Sequence, residues 1–368
     1  MSRKVNLINN VITMALTVGG FAAVVFKANT IWNESLGMVL VYILCGAVVT
    51  GFLSTLCHEL GHLIAGKLNR FAFISMTVWF FKWSREKKKI VFDFVLMGEE
   101  AGYAEMVAKS VDDLSSRLKK MTMGGIIATI VPVLAGGVAF VFADKVPFFV
   151  FIVWAMFLPI GIYSFFGNAL PMSSGGSGND GRLLYGLKKN DDDSQVVINL
   201  LKIQSELFNG KTPSEIDEKY YFDLPQLAED DLNFIMLLFS RYDYYLDKKD
   251  FVGAKKTSDR LLSLLEYMPK IYVNSAKANA LYGACTFVRD DERADELTYE
   301  LEKFLNKSNT SSAIRAKIAY VLYVKGEKGE NGALDIFYAD GVKAANKCPL
   351  RGVGLFERKL LEELKKDF

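Results

Sequence analysis

Residues 35–68 read SLGMVLVYILCGAVVTGFLSTLCHELGHLIAGKL and combine a long apolar segment with two histidines. The first 23 of them, residues 35–57, carry no charged side chain. A helix needs about 20 apolar residues to cross the hydrocarbon core of a bilayer. The stretch therefore predicts a transmembrane helix that has the pattern HELGH at its end.

Three more uncharged segments lie in the first half of the chain. They are residues 5–26, 121–143 and 146–179, with lengths of 22, 23 and 34 residues. Buried helices of soluble proteins usually keep a polar stripe, which these segments lack. The first segment is longer than the apolar stretch of about 7–15 residues in a signal peptide, so we expect it to remain in the protein. The sequence thus predicts a mainly α-helical, polytopic membrane protein with about four transmembrane helices.

The balance of charge divides the chain into two parts. Residues 1–190 contain 18 Lys and Arg against 11 Asp and Glu, whereas residues 191–368 contain 26 against 31. We interpret the first part, 1–190, as the transmembrane domain and the second, 191–368, as a soluble helical domain. No basic block is dense enough for a nucleic-acid interface, so we expect no nucleic-acid partner.

Basic residues cluster at one set of helix ends. They are Arg3, Lys4, Arg70, Lys82, Arg85, Lys87, Lys88, Lys89, Lys119, Lys120, Arg182, Lys188 and Lys189, and the two remaining loops carry only Lys27 and Lys145. Since short cytoplasmic loops are enriched in Lys and Arg, both termini are expected to face the cytoplasm from the cell membrane. The four cysteines have no metal-type spacing and indicate no disulfide framework.

The HELGH pattern is typical of a zinc site. His58 and His62 are the only histidines in the chain, and their spacing puts both rings on one face of a helix. Two imidazoles so placed can bind one Zn²⁺, while Glu59 beside them can take a proton from an attacking water. The alternative is a pair of histidines satisfied in the core. Ionisable side chains within a membrane span are costly and usually functional, which favours the metal.

A zinc site of this kind needs a third protein ligand. Cys57 projects away from His58, which leaves carboxylates. The candidates are Asp93, Glu99, Glu100 and Glu105 before the third apolar segment, and Asp180 after the fourth. Asp180 is favoured because it closes a Gly/Ser loop that leaves a membrane helix. Its alternative role is the N-cap of a short helix that starts at Gly181.

A HExxH helix followed two helices later by Asn-x-x-Pro and Asp-Gly resembles the site-2 protease family of intramembrane zinc metalloproteases. The resemblance covers roughly residues 36–187. It implies that His58, His62 and Asp180 bind zinc and that Glu59 is catalytic. Asn168 matches the Asn of Asn-x-x-Pro. It is a candidate to hydrogen-bond the substrate backbone or the oxyanion, or else to stabilise the loop around Pro171. Eight residues, MSSGGSGN, separate Pro171 from Asp180, which is longer than the family's usual spacing.

The resemblance implies a zinc metalloendopeptidase that cleaves in or near a transmembrane segment of a membrane protein or leader peptide. The expected partners are that substrate and the lipid bilayer. One alternative is a catalytically weak receptor or scaffold that signals through the helical domain, although the intact Glu59 argues against it. Another is a zinc protease that cuts peptides docked on the membrane surface.

Two further segments predict local structure outside the apolar helices. Residues 71–83 and 90–97 are rich in aromatic and β-branched residues and flank the polar sequence SREKKK, which predicts a membrane-associated β-hairpin.

In the second domain, Ala254, Ala294 and Ala333 recur at intervals of 40 and 39 residues, each just inside a predicted helix. This period is typical of tetratricopeptide-like helix pairs, and an irregular helical bundle is a nearly equal alternative. A repeat surface could hold a peptide or protein partner.

Overall fold

The computed structural model describes residues 3–32, 34–86, 89–95, 101–174, 177–326 and 332–368. It is mainly helical, with a small antiparallel sheet. The chain forms two compact units, one of residues 1–107 and 112–191 and the other of residues 108–111 and 192–368. Each unit is described by itself below.

The first unit contains seven helices among the described residues. They are α1 (Arg3–Ile31), α2 (Leu36–Leu68), α3 (Leu114–Ala128), α4 (Ile130–Val141), α5 (Phe148–Ala155), α6 (Phe157–Ala169) and α7 (Asp180–Lys189). In the described part of the chain, four helical segments are long and apolar enough to cross a membrane: Lys4–Ile31, Gly37–Leu68, Leu114–Val141 and Phe148–Ala169. The prediction of four apolar helices is confirmed, and their composition is that of a membrane protein.

The third and fourth of these segments are each divided into two helices. The division lies at Thr129 between α3 and α4, and at Met156 between α5 and α6. Each of these residues stands three positions before a proline, Pro132 or Pro159. Proline lacks the N–H that would bond the carbonyl four residues earlier, and its ring collides with that carbonyl, so the regular helix is interrupted there.

The predicted β-hairpin is a four-stranded sheet. Its strands are β1 (Phe71–Val78), β2 (Phe81–Glu86), β3 (Lys89–Phe94) and β4 (Gly102–Ala108), in the order β3-β2-β1-β4. The prediction that residues 71–83 form a single arm is wrong. A turn at Trp79, whose φ is 55°, divides them into β1 and β2. β2 and β3 form the expected hairpin, with Trp83 opposite Phe92. The last residues of the predicted second arm, 96 and 97, lie outside the described residues.

Glycines bring α2 and α3 into backbone contact. A Cβ atom on Gly61 would lie 2.4 Å from the carbonyl oxygen of Gly124, and a Cβ on Gly124 would lie 2.3 Å from the Cβ of Ala65. Only a residue without a side chain permits this approach, as at the small-residue interfaces of membrane helices. The contact places the second half of α2, which carries HELGH, directly against α3.

The second unit contains nine α-helices among its described residues. Its helices are α8 (Asp192–Phe208), α9 (Lys219–Phe222), α10 (Leu232–Asp247), α11 (Phe251–Ser263), α12 (Lys270–Gly283), α13 (Asp291–Lys307), α14 (Ser311–Tyr323), α15 (Ala333–Lys347) and α16 (Arg351–Lys365). From α10 onward, helices that are neighbours in sequence pack against one another, and α12 also packs against α14. A helical second domain is therefore confirmed.

The proposed internal repeat is only partly regular. Ala254 and Ala294 are each the fourth residue of a helix and are fully buried, and an aspartate, Asp250 or Asp290, caps each helix. Ala333 differs, because it is the first residue of α15 and follows a glycine cap. The third expected repeat position is thus out of register, and the tetratricopeptide-like assignment stays a prediction.

Candidate metal centre

His58 and His62 project from one face of α2, as their spacing predicts. Their Nε2 atoms lie 3.0 Å apart, and His58 is only 7% exposed. Asp180 completes the group, since its Oδ2 lies 3.3 Å from Nε2 of His58 and 3.1 Å from Nε2 of His62. The structure thus brings together the three side chains that the sequence proposed as ligands.

The loop between α6 and α7 delivers Asp180 to this position. Asn179 is the N-cap of α7, and its Oδ1 accepts hydrogen bonds from the backbone N–H groups of Arg182 and Met172. Its Nδ2 donates to the carbonyls of Gly167 and Leu170 at the end of α6. The alternative role of Asp180 as N-cap is therefore wrong, because Asn179 satisfies the helix terminus. Asp180, the first residue of α7, is left to face the histidines.

Helix α3 orients the ring of His62. Nδ1 of His62 lies 3.1 Å from the carbonyl oxygen of Met121, which belongs to α3. Nδ1 must donate in this hydrogen bond, because a carbonyl can only accept. In the neutral ring this leaves the lone pair on Nε2, directed at Asp180, which is the arrangement usual for metal-bound histidines. Gly125 makes room for the ring, since a Cβ there would lie 2.3 Å from its Nε2 and Cε1 atoms.

The donor set fits a zinc ion. Asp180 Oδ2 is buried and accepts no hydrogen bond of regular geometry from the described residues, although two imidazole nitrogens lie within 3.3 Å. Three atoms that can each bind a metal therefore converge in a buried place, which is favourable when a cation lies between them. Ligand atoms about 2.0–2.1 Å from a tetrahedral zinc are about 3.3–3.4 Å apart, close to the separations found here.

Glu59 lies buried next to the ligands, at 4% exposure. Strand β4 packs against it, because a Cβ on Gly102 would lie 2.5 Å from Oε1 of Glu59. Gly102, Met121 and Asn179 are further residues of the site, beyond those that the sequence predicts. Of these, only Asn179 had a local signal, as a residue of N-cap type directly before Asp-Gly.

The other candidate ligands do not join the group. Within the described residues, His58, His62 and Asp180 form the one cluster suited to a metal ion. Glu105 accepts a hydrogen bond from Ser75, and Asp93 is exposed on β3. Glu99 and Glu100 lie outside the described residues. Asn168 donates to the carbonyl of Ser164 in its own helix, and no hydrogen bond described for it reaches the three ligands.

Comparison of the chain with protein-family models, with curated proteins and with solved structures finds no match. The interpretation of this centre therefore depends on its own geometry. Two imidazoles and one carboxylate, with a second carboxylate adjacent in sequence, form a donor set that can hold a metal and move a proton.

Replacing Gly125 with alanine is expected to weaken metal binding. The added methyl group overlaps the His62 ring, so the ring must turn away from its hydrogen bond with Met121. Loss of such an orienting contact lowers metal affinity by about 10–100-fold. Zinc affinity of the purified protein, measured by competition with a chelator, checks this. Gly137→Ala on α4 is the matched control, because a Cβ there meets no atom within 4 Å. Equal affinities of the two variants would contradict the packing argument.

Proposed function

We propose that this chain is a zinc metalloendopeptidase of the site-2 protease type, which hydrolyses a peptide bond in or near a transmembrane segment of a membrane protein or leader peptide. The observation that carries the proposal is the meeting of Asp180 with His58 and His62, two residues of a helix that is apolar enough to span a membrane. Glu59 lies beside His58 in the sequence and is buried with it. A site that only stored a metal would not need this base.

The proposed mechanism assigns a task to each side chain. His58, His62 and Asp180 would hold Zn²⁺, which when bound activates a water and polarises the scissile carbonyl. Glu59 accepts the proton of the attacking water and passes it to the leaving amine, as a general base and then a general acid. Asn168 would hydrogen-bond the substrate backbone or the oxyanion.

The position in the cell follows from the charge pattern. We infer a multi-pass protein of the cell membrane with both termini in the cytoplasm, because Lys and Arg collect at one set of helix ends. The helical second domain would then lie in the cytoplasm. Its packed helices would offer a surface for a peptide or protein partner.

A receptor or scaffold with a weak metal site is the second candidate function. It would use the same ligands but would leave Glu59 without a task. The enzyme proposal gives a task to Glu59, whose carboxylate is 4% exposed and lies against strand β4.

Metal removal tests the proposal. Membranes from cells that make the wild-type protein are treated with a zinc chelator, and the fragments of their membrane proteins are followed by quantitative mass spectrometry. We expect fragment formation to stop and to return when Zn²⁺ is added. Membranes that contain His62→Ala should form no such fragments under either condition. Fragments that form equally with and without the chelator would contradict a zinc protease.

A further inference from the structure

The first turns of α1 carry two asparagines that reach a distant loop. Asn6 and Asn9 are three residues apart, so both lie on one face of the helix. Nδ2 of Asn6 donates to the carbonyl of Ser173 at 2.8 Å, and the N–H of Ser173 donates to Oδ1 of Asn6 at 3.2 Å. Nδ2 of Asn9 donates to the carbonyl of Pro171 at 2.8 Å. Three hydrogen bonds thus join α1 to residues 171–173.

This loop is the one that carries Asp180. Met172 stands between the two anchored residues, and its backbone pairs with Asn179. The N–H of Met172 donates to Oδ1 of Asn179, and the N–H of Asn179 donates to the carbonyl of Met172, both at 3.0 Å. Asp180 is the next residue. Asp180 is therefore connected to the residues held by α1 through the peptide bonds of Met172, one pair of hydrogen bonds between Met172 and Asn179, and the peptide bond from Asn179 to Asp180.

Other polar side chains on the same helix behave differently. The hydroxyls of Thr13 and Thr17 donate to carbonyls one turn earlier in α1 itself. Such bonds satisfy the hydroxyl groups but do not join α1 to another segment of the chain. The amides of Asn6 and Asn9 instead bond a segment more than 160 residues away in the sequence. Backbone N–H and C=O groups need hydrogen-bond partners, and here these side chains supply them for the loop.

The anchor also accounts for the long spacing between Pro171 and Asp180. Residues Ser173–Ser174 (β5) and Ser177–Gly178 (β6) pair as a small antiparallel hairpin, with Ser173 opposite Gly178. The hairpin contains the residues that lengthen the spacing between Pro171 and Asp180. Asn6 bonds Ser173 at its start, and Asn179 directly after it bonds Met172 directly before it. The additional residues therefore do not loosen the position of Asp180.

We infer that Asn6 and Asn9 are positioning residues that hold Asp180 within reach of His58 and His62. The inference deepens the proposed function, on which it depends for the identity of the metal. Helix α1 becomes part of the metal centre, although it contributes no ligand. Without the two amides, residues 171–173 lose their contact with α1, and Asp180 samples positions away from the histidines.

The test compares the full-length wild type with Asn6→Ala/Asn9→Ala in detergent. Asn10→Ala is the matched control, because Asn10 neighbours both residues on the same helix but is exposed. We expect zinc to dissociate about 10–100-fold faster from the double variant, as on loss of other contacts that orient a metal ligand. Amide hydrogen exchange at residues 177–183 should rise, while exchange across α2 and α3 should stay at the wild-type rate. Asn6→Gln, which keeps both amide functions, should recover part of the zinc retention relative to Asn6→Ala.

Two outcomes would overturn the inference. One is a double variant with wild-type zinc dissociation and wild-type exchange at residues 177–183. The other is faster exchange throughout α2 and α3, which would indicate general destabilisation rather than positioning. If the wild type itself retains no zinc, the proposed function fails, and the exchange at residues 177–183 still decides whether the two asparagines anchor the loop.

Discussion

Replacing Glu59 with glutamine is expected to abolish substrate cleavage while zinc binding persists. The amide has nearly the shape of the carboxylate, so the packing against Gly102 is retained and the three proposed metal ligands are unchanged. It cannot accept a proton from the attacking water. Loss of a general base lowers a rate by about 10²–10⁴-fold. The variant should therefore resemble the wild type in metal content and differ only in catalysis.

The fragments of membrane proteins in cells that make either form provide the measurement. Fragments present with the wild type should be absent with Glu59→Gln, and both purified proteins should contain zinc. Glu105→Gln is a suitable control, because this glutamate accepts a hydrogen bond from Ser75 on the sheet and is not a ligand. Its fragment pattern should match the wild type. Identical patterns for all three proteins would argue for the receptor or scaffold.

Replacing Glu357 with alanine is expected to destabilise the second unit strongly. Glu357 forms a two-point ion pair with Arg315, Nε to Oε2 at 3.0 Å and Nη2 to Oε1 at 3.3 Å. The side chains of Arg315 and Glu357 are only 1% and 5% exposed, and the guanidinium also lies 4.0 Å from the ring centre of Tyr282. Removing one partner of a buried pair leaves an uncompensated charge and costs about 3–5 kcal/mol. A domain is stable by only about 5–15 kcal/mol, so this is a large share.

Hydrogen exchange of the full-length protein measures this effect. The four tryptophans, Trp32, Trp79, Trp83 and Trp154, all lie in the first unit, so their fluorescence does not report on the second. Exchange in α14 and α16 should become about 100- to 3,000-fold faster in Glu357→Ala, which corresponds to about 3–5 kcal/mol. Lys255→Ala removes an exposed ion pair with Asp259 and should cost at most about 0.5 kcal/mol. A similar small effect for Glu357→Ala would contradict a buried pair.

The sequence predicts those parts of the fold that depend on one segment at a time. Four apolar helices follow from length and charge, and the shared face of His58 and His62 follows from the pitch of a helix. The sheet was predicted less well, because the turn at Trp79 places a bulky residue at positive φ, where no glycine, asparagine or proline marks it. Strand β4 was missed because its mixture of small, polar and apolar residues resembles a loop.

The candidate site shows the same limit. Asp180 could be proposed from its place after a membrane helix, but its competing role as an N-cap could be excluded only once Asn179 was seen to fill that role. The contacts of Met121, Gly125 and Gly102 with the site are made between elements distant in sequence. Such contacts depend on how helices and strands pack, which no local pattern encodes.

The most direct test of the central claim is the zinc X-ray absorption spectrum of the purified wild-type protein. If His58, His62 and Asp180 form a catalytic zinc centre, the protein binds one zinc per chain, and the spectrum shows two imidazole nitrogens with oxygen ligands at about 2.0–2.2 Å and no sulfur. A protein that takes up no zinc after loading, or a spectrum dominated by sulfur at about 2.3 Å, would contradict it.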